Sequence, residues 1–304
     1  MPTATRRSVA GAAALAAVCL VGGTGCSSGD GKGEGEGGSP VLRGLRALAS
    51  DRGTGQVSYL DAATVRRLSK GGNKRFAVIG QPNNALLNAY DAGPWGGHLK
   101  ADQIDTAVDA KGAGHWEGSF DAAAITAALK ANGYVRSHQD GRPTWTRPHS
   151  KGVSLEISKD AISYGTSGIA SLSAVHAKEG SSLADIEEYQ RASECLGDVY
   201  RADFNPLTAA KPVRLSALGQ QADSAGKNTE VLCVVVKDEA TARRLSAKLR
   251  SVVRGKAPRY DGAEVTVEQG EQPLVRATVP DSSDQRPGRL MLSDLDLWMA
   301  VVKL

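Results

Sequence analysis

Apolar positions after residue 40 recur with two periods, and their alternation predicts a mixed helical and extended body. Val41, Leu42, Leu45 and Leu48 fall at three- and four-residue spacing, the stripe of a short helix. Val57 to Tyr59 reads as extended, and Asp61 is placed to cap a helix carrying Val65 and Leu68. Residues 75–79 (RFAVI) suit a strand or a helix entry broken at Gly80 and Pro82, and 83–90 suits a helix. Strands are expected at 104–110 and 115–120, joined across 111–114. Asp121 then opens a helix with Ala122, Ile125, Ala128 and Leu129 on its apolar face and Asn132-Gly133 as its stop. Asp140-Gly141 marks a hairpin returning through 144–146, and 153–157 pairs with 161–164 across a turn.

The pattern repeats further on. A four-turn helix is expected from Ser182, with Tyr189, Ala192, Cys195, Leu196 and Val199 on its inner face. Residues 213–218 and 229–236 (TEVLCVVV) follow as strands, the latter carrying the clearest buried-strand signal in the chain. Asp238 caps a helix striped by Ala242, Leu245, Leu249 and Val252. Residues 263–268 and 273–279 form an antiparallel pair, and 290–304 a last helix. Helices segregated on a mainly antiparallel sheet define an α+β class rather than a doubly wound parallel sheet. The order strand, helix, strand occurs in both halves, which suggests two similar lobes: a first α/β unit at 40–175 and a second at 176–304.

The first 39 residues carry no such pattern. Arg6 and Arg7 precede an uncharged run, 9–23, too short to cross a hydrocarbon core of roughly 30 Å. It fits the apolar core of a signal peptide covering 1–25. Thr24-Gly25-Cys26 follows, and then 27–39 (SSGDGKGEGEGGS), where six of thirteen residues are Gly. These features resemble the signal, lipobox and tether of exported lipoproteins of high-GC Gram-positive, streptomycete-like bacteria. The resemblance covers only 1–39. It implies cleavage before Cys26, acylation of that residue, and a location on the outer face of the cell membrane. Residues 26–39 would then be a lipidated cysteine and a flexible tether with a reach of about 20 Å.

Composition narrows the partners. The 304 residues hold 37 Lys+Arg against 33 Asp+Glu, and removing Arg6 and Arg7 leaves 35 basic residues against the same 33 acidic ones. A nearly neutral mature protein gives no electrostatic case for nucleic acid. An exported compartment permits disulfides. Cys195 on a helix and Cys233 inside TEVLCVVV are therefore expected to be bonded.

No concentrated catalytic motif is present. The five histidines lack the spacing of a zinc-binding helix, and no nucleophile elbow, phosphate loop or dinucleotide fingerprint occurs. Asp102, Asp105, Asp109 and Glu117 near Trp116 are scattered as a soluble strand edge would scatter them. No catalytic, cofactor-binding or metal-binding residue is assigned, and no cofactor is called for. The candidate binding residues are Trp95, set among Gly93, Pro94, Gly96 and Gly97, and Trp116. Trp95 is otherwise a plug closing a core edge. The expectation is a cell-envelope lipoprotein held by Cys26. Its folded part acts as a non-enzymatic binding or structural module toward an envelope protein, a wall polymer or a small ligand. The alternatives are a solute-binding lipoprotein of a transporter and, further off, an envelope hydrolase.

Overall fold

The computed structural model describes residues 38–70, 74–82, 85–87, 93–149, 152–207 and 211–304. The expected signal peptide, Cys26 and the expected tether up to residue 37 lie outside them, as does most of the helix expected at 83–90.

Residues 38–304 form one compact unit. Its chain order is α1 (Pro40–Leu45), β1 (Val57–Asp61), α2 (Ala62–Ser69), β2 (Ile104–Ala110), β3 (Ala113–Gly118), α3 (Ala122–Ala131), β4 (Val135–Gln139), β5 (Arg142–Thr146), β6 (Val153–Ile157) and β7 (Ala161–Thr166). There follow α4 (Glu187–Leu196), β8 (Arg201–Pro206), β9 (Val213–Ala222), β10 (Asn228–Val236), α5 (Glu239–Gly255), β11 (Glu264–Glu268), β12 (Leu274–Pro280), α6 (Arg289–Leu292) and α7 (Asp296–Val302). Four helices begin where the sequence supplies a capping side chain. Ser39, Asp61, Asp121 and Asp238 each accept a hydrogen bond from the backbone N–H three residues on, which satisfies a donor that the first helical turn leaves open.

The fold is α+β, built on one twelve-stranded sheet in the order β11-β12-β10-β9-β8-β1-β2-β3-β7-β6-β5-β4. Every ladder is antiparallel. The two halves share a topology. In each, three strands form a meander (β1-β2-β3 and β8-β9-β10). A helix (α3 or α5) then leads to a hairpin that returns against the third strand (β6-β7 and β11-β12), and β4-β5 is an extra hairpin on the first half's outer edge. The halves join where β1 pairs antiparallel with β8, so a pseudo-twofold axis passes through the middle of the sheet.

Period-2 alternation divides the sheet residues between two faces. On one face Val57, Tyr59, Ala202, Phe204, Ala217 and Cys233 pack under α1 and α4 in a single core spanning both halves. On the other face each half has its own core. Leu60, Ala107, Trp116 and Ile162 are covered by α2 and α3, and Leu232, Val234, Val275 and Val279 by α5 and α7.

Several elements differ from the expectation. Residues 75–79 are neither strand nor α-helix but a 3-10 helix, Lys74–Ile79, with Phe76 and Ile79 buried. The long helix from Ser182 is broken into a 3-10 turn, Leu183–Asp185, and the shorter α4. A reciprocal Ser182–Asp185 cap closes the turn, and Gly197 at φ 65° ends α4. The final helix is split into α6 and α7. Strand β8 had no counterpart in the reading of the sequence.

Candidate functional site

The face with two separate cores leaves the strands around the pseudo-twofold axis between two helical layers, and this gap is the candidate site. Its floor is set by strand register. Ser58 on β1 pairs with Asp109 on β2 and with Asp203 on β8, so the three side chains point the same way in one row. The row continues through Leu218 and Leu232 on one side and through Gly114 and Tyr164 on the other. Two strand spacings put the Asp109 and Asp203 backbones about 10 Å apart.

Each carboxylate is fixed by its neighbours. Asp109 Oδ1 accepts from Trp116 Nε1 at 2.9 Å and from the Tyr164 hydroxyl at 2.6 Å. Gly114 makes that convergence sterically feasible, because a Cβ there would come within 2.4 Å of Asp109 Oδ1 and 2.5 Å of the Tyr164 hydroxyl. Asp203 Oδ2 accepts from Arg201 Nε at 3.0 Å, and Arg201 also donates to the Ile79 carbonyl. The pair is buried, with side-chain exposures of 12% for Arg201 and 1% for Asp203. Removing either partner would strand a charge in a poorly solvated place.

Two hollows open over this floor. One of about 270 Å³ has an apolar wall from Leu218, Leu290, Met291, Leu295 and Trp298, with Gln56, Asp203 and Asn205 below. The other, about 470 Å³, lies over Ser58, Asp109, Lys111, Tyr164 and Thr166. Gln56 lines both, so they read as two ends of one trough. Elsewhere the two layers touch. Gly288, at φ 85°, has no room for a side chain, because a Cβ would lie 2.8 Å from Ile79 Cγ2. Apolar walls with a few converging polar groups are the usual make-up of a ligand site.

Behind the apolar wall lies a buried polar network. Glu230 on β10 is fully buried; its Oε2 accepts from Gln220 Nε2 at 2.9 Å and from the Leu290 backbone N–H at 3.1 Å. Asn228 donates to Gln220 Oε1 and to Asp281 Oδ2, and Tyr200 donates to Asn228 Oδ1 at 2.6 Å. Arg289 bridges Asp281 at 2.8 Å and Asp294 at 2.7 Å. Burial, reinforced by the nearby Asp281 charge, pushes the Glu230 carboxyl up to about 7. The network fixes the start of α6, whose Leu290 and Met291 form the trough wall. Arg75 clamps the loops beside it, donating to the Gly226 and Ser283 carbonyls at the edge of an open hollow of about 630 Å³.

The opposite face carries a second polar cluster. His115 Nδ1 meets Ser163 Oγ at 2.9 Å, and His176 Nε2 meets Glu156 Oε2 at 2.7 Å. Burial holds the His115 imidazole below its ordinary range, with the Glu117 charge acting in the opposite sense. Among the described residues no group of three or more His, Cys, Asp and Glu is placed to hold a metal.

The residues singled out in the sequence fall as follows. Cys195 and Cys233 form a disulfide with Cα atoms 6.2 Å apart, joining α4 to β10. Cys26 lies outside the described residues. Trp95 and Trp116 are not exposed platforms. Trp95 is 5% exposed and Trp116 is fully buried, both in the core under α2 and α3. The reason for Trp116 is its place on the inward face of β3, where Asp109 satisfies its indole N–H. For Trp95, packing comes from distant parts of the chain rather than from its small neighbours. Asp203, Ser58 and Gln56 were missed. Asp109 was noticed only as one of several scattered acids, and Trp298 only as part of a helix stripe. No family model, no curated protein and no solved structure matches this chain.

Proposed function

We propose that this chain is a lipid-anchored protein of the outer face of the cell membrane, held by Cys26, whose folded part binds a ligand in the trough without turning it over. The observation that carries the binding reading is the floor itself: Asp203, Ser58 and Asp109 in one row between two helical layers, with an apolar wall over Asp203. The trough-floor carboxylates are engaged by Arg201, Trp116 and Tyr164 in ways that position them. That suits recognition better than the hydrolase reading. The two topologically similar halves are fused through β1 and β8 into one sheet, which favours a fixed groove over the hinged lobes of a transporter's solute-binding protein.

The anchor and the site are tested together. Cys26→Ala is expected to move the protein from the membrane fraction to the medium, and intact mass of the wild type to show a diacylated Cys26 as its N-terminus. A ligand library screened by thermal shift on the released chain should give hits that vanish in Gln56→Trp, which fills the trough from an exposed position. Retention of Cys26→Ala on the membrane, or a mature N-terminus elsewhere, would overturn the anchor. Hits indifferent to Gln56→Trp would overturn the site.

A further inference from the structure

We infer that the trough takes an elongated amphiphile, with a single apolar chain along the α6–α7 wall and an uncharged, hydroxyl-rich head over Ser58 and Asp109. This rests on the trough being the ligand site and goes on to name the class of ligand.

The two ends of the trough differ in kind. At the first, Leu218, Leu290, Leu295 and Trp298 present hydrocarbon and an indole face. Leu295 lines the hollow and is itself 40% exposed, and Leu292 and Met299, three residues before it and four after, are 63% and 39% exposed. Apolar side chains are therefore offered both inside this hollow and to water on the same two short helices, and exposed apolar groups of this kind mark interaction sites. At the second end the polar atoms are mostly acceptors or hydroxyls: the Asp109 carboxylate and the Ser58, Thr166 and Tyr164 oxygens, with Gln56 at the junction. A head group there must bring donors, and hydroxyls do so while also accepting from Lys111 at the rim. An ionic head would find no net charge to meet there, since Lys111 stands beside Asp109 in the same hollow and Asp203, in the other, is paired with Arg201. A charge taken into a half-buried groove without a partner loses its hydration uncompensated.

The test uses the full mature chain carrying Cys26→Ala, free of acyl groups, with three probes below their micelle thresholds: dodecyl maltoside, maltose and dodecanoate. Calorimetry should show one-to-one binding of dodecyl maltoside. Because each buried methylene is worth about 0.8 kcal/mol, burying two or more should make binding about tenfold or more tighter than for maltose, and the uncompensated desolvation of its carboxylate should leave dodecanoate weaker as well. Leu295→Asp should weaken the maltoside by a similar factor without changing the melting temperature, since Leu295 is partly exposed. Maltoside binding no tighter than maltose or dodecanoate, or unaffected by Leu295→Asp, would overturn the inference. If maltose alone binds and Gln56→Trp abolishes it, the amphiphile falls and the trough stands. If no probe binds and the library yields no trough-dependent hit, both fall.

Discussion

Removing the disulfide should cost about 4 kcal/mol of folding free energy. Cys195 and Cys233 lie 38 residues apart. Closing a loop of that length removes about 13 cal/mol/K from the unfolded chain in the loop-entropy account, or about 4 kcal/mol at 25 °C. The folded side adds to this. Cys233 is fully buried on β10, and Cys195 lies on the inner face of α4 in the same core as Tyr189, Leu196 and Phe204. Tyr189 and Phe204 stack at 5.3 Å, so α4 is also packed against β8. Without the bond, α4 keeps its packing and the Arg191–Glu268 pair but loses its covalent tie to β10, and β8, which follows and carries Asp203, loses a fixed entry. Urea denaturation of the oxidised protein, the reduced protein and the Cys195→Ala/Cys233→Ala variant should give two similar midpoints well below the oxidised one. A loss under about 1 kcal/mol would show that the bridge restrains little that the core does not already hold.

Glu230 should make the protein less stable as pH rises through neutrality. Its carboxyl is raised from 4.5 to about 7 in the folded state, so between those values the folded protein holds a proton that the unfolded chain has released. Stability therefore falls as pH rises across that window and levels off above it. The full change is about 3 kcal/mol for a shift of this size. Asp281, also raised by burial, contributes with the same sign, and the Arg289 guanidinium beside it limits how far either carboxyl moves. Denaturation midpoints at constant ionic strength from pH 5 to pH 8 should decline in the wild type and flatten in Glu230→Gln. The lowered His115 imidazole adds a rise of opposite sign in both proteins, so the diagnostic is the difference between them: a Glu230→Gln profile parallel to the wild type would mean that Glu230 stays ionised in the folded protein.

Much of the scaffold was legible because its signals are local. Asp61, Asp121 and Asp238 cap the helices they were expected to cap, and TEVLCVVV is buried over nearly its whole length because it lies between β9 and β12 under helices on both faces. The disulfide followed from an inward position on a helix and another on a strand. The site was not legible, for a physical reason. Strand β8 reads Arg-Ala-Asp-Phe-Asn-Pro, and its alternation is real: Ala202 and Phe204 face the core while Arg201, Asp203 and Asn205 face the trough. Yet Asp, Asn and Pro are loop formers, and a central strand with one polar face looks like a turn when seen alone. Asp203 and Asp109 are brought level only by the pairing of β8 with β1 and of β1 with β2, which no local pattern contains. Trp95 stayed open between a binding platform and a core plug for the converse reason, since Gly and Pro neighbours say nothing about what packs over them from elsewhere, and it is the plug.

The central claim is that the open face between the two helical layers is where this protein meets its ligand. Hydrogen–deuterium exchange on the Cys26→Ala chain, with and without saturating dodecyl maltoside below its micelle threshold, tests it most directly. The account predicts slower exchange at 56–58, 109–112, 203–205 and 290–298, with no change in β4, β5 or β11 at the outer edges of the sheet. Protection confined to those edges, or to the α1–α4 face, would contradict it.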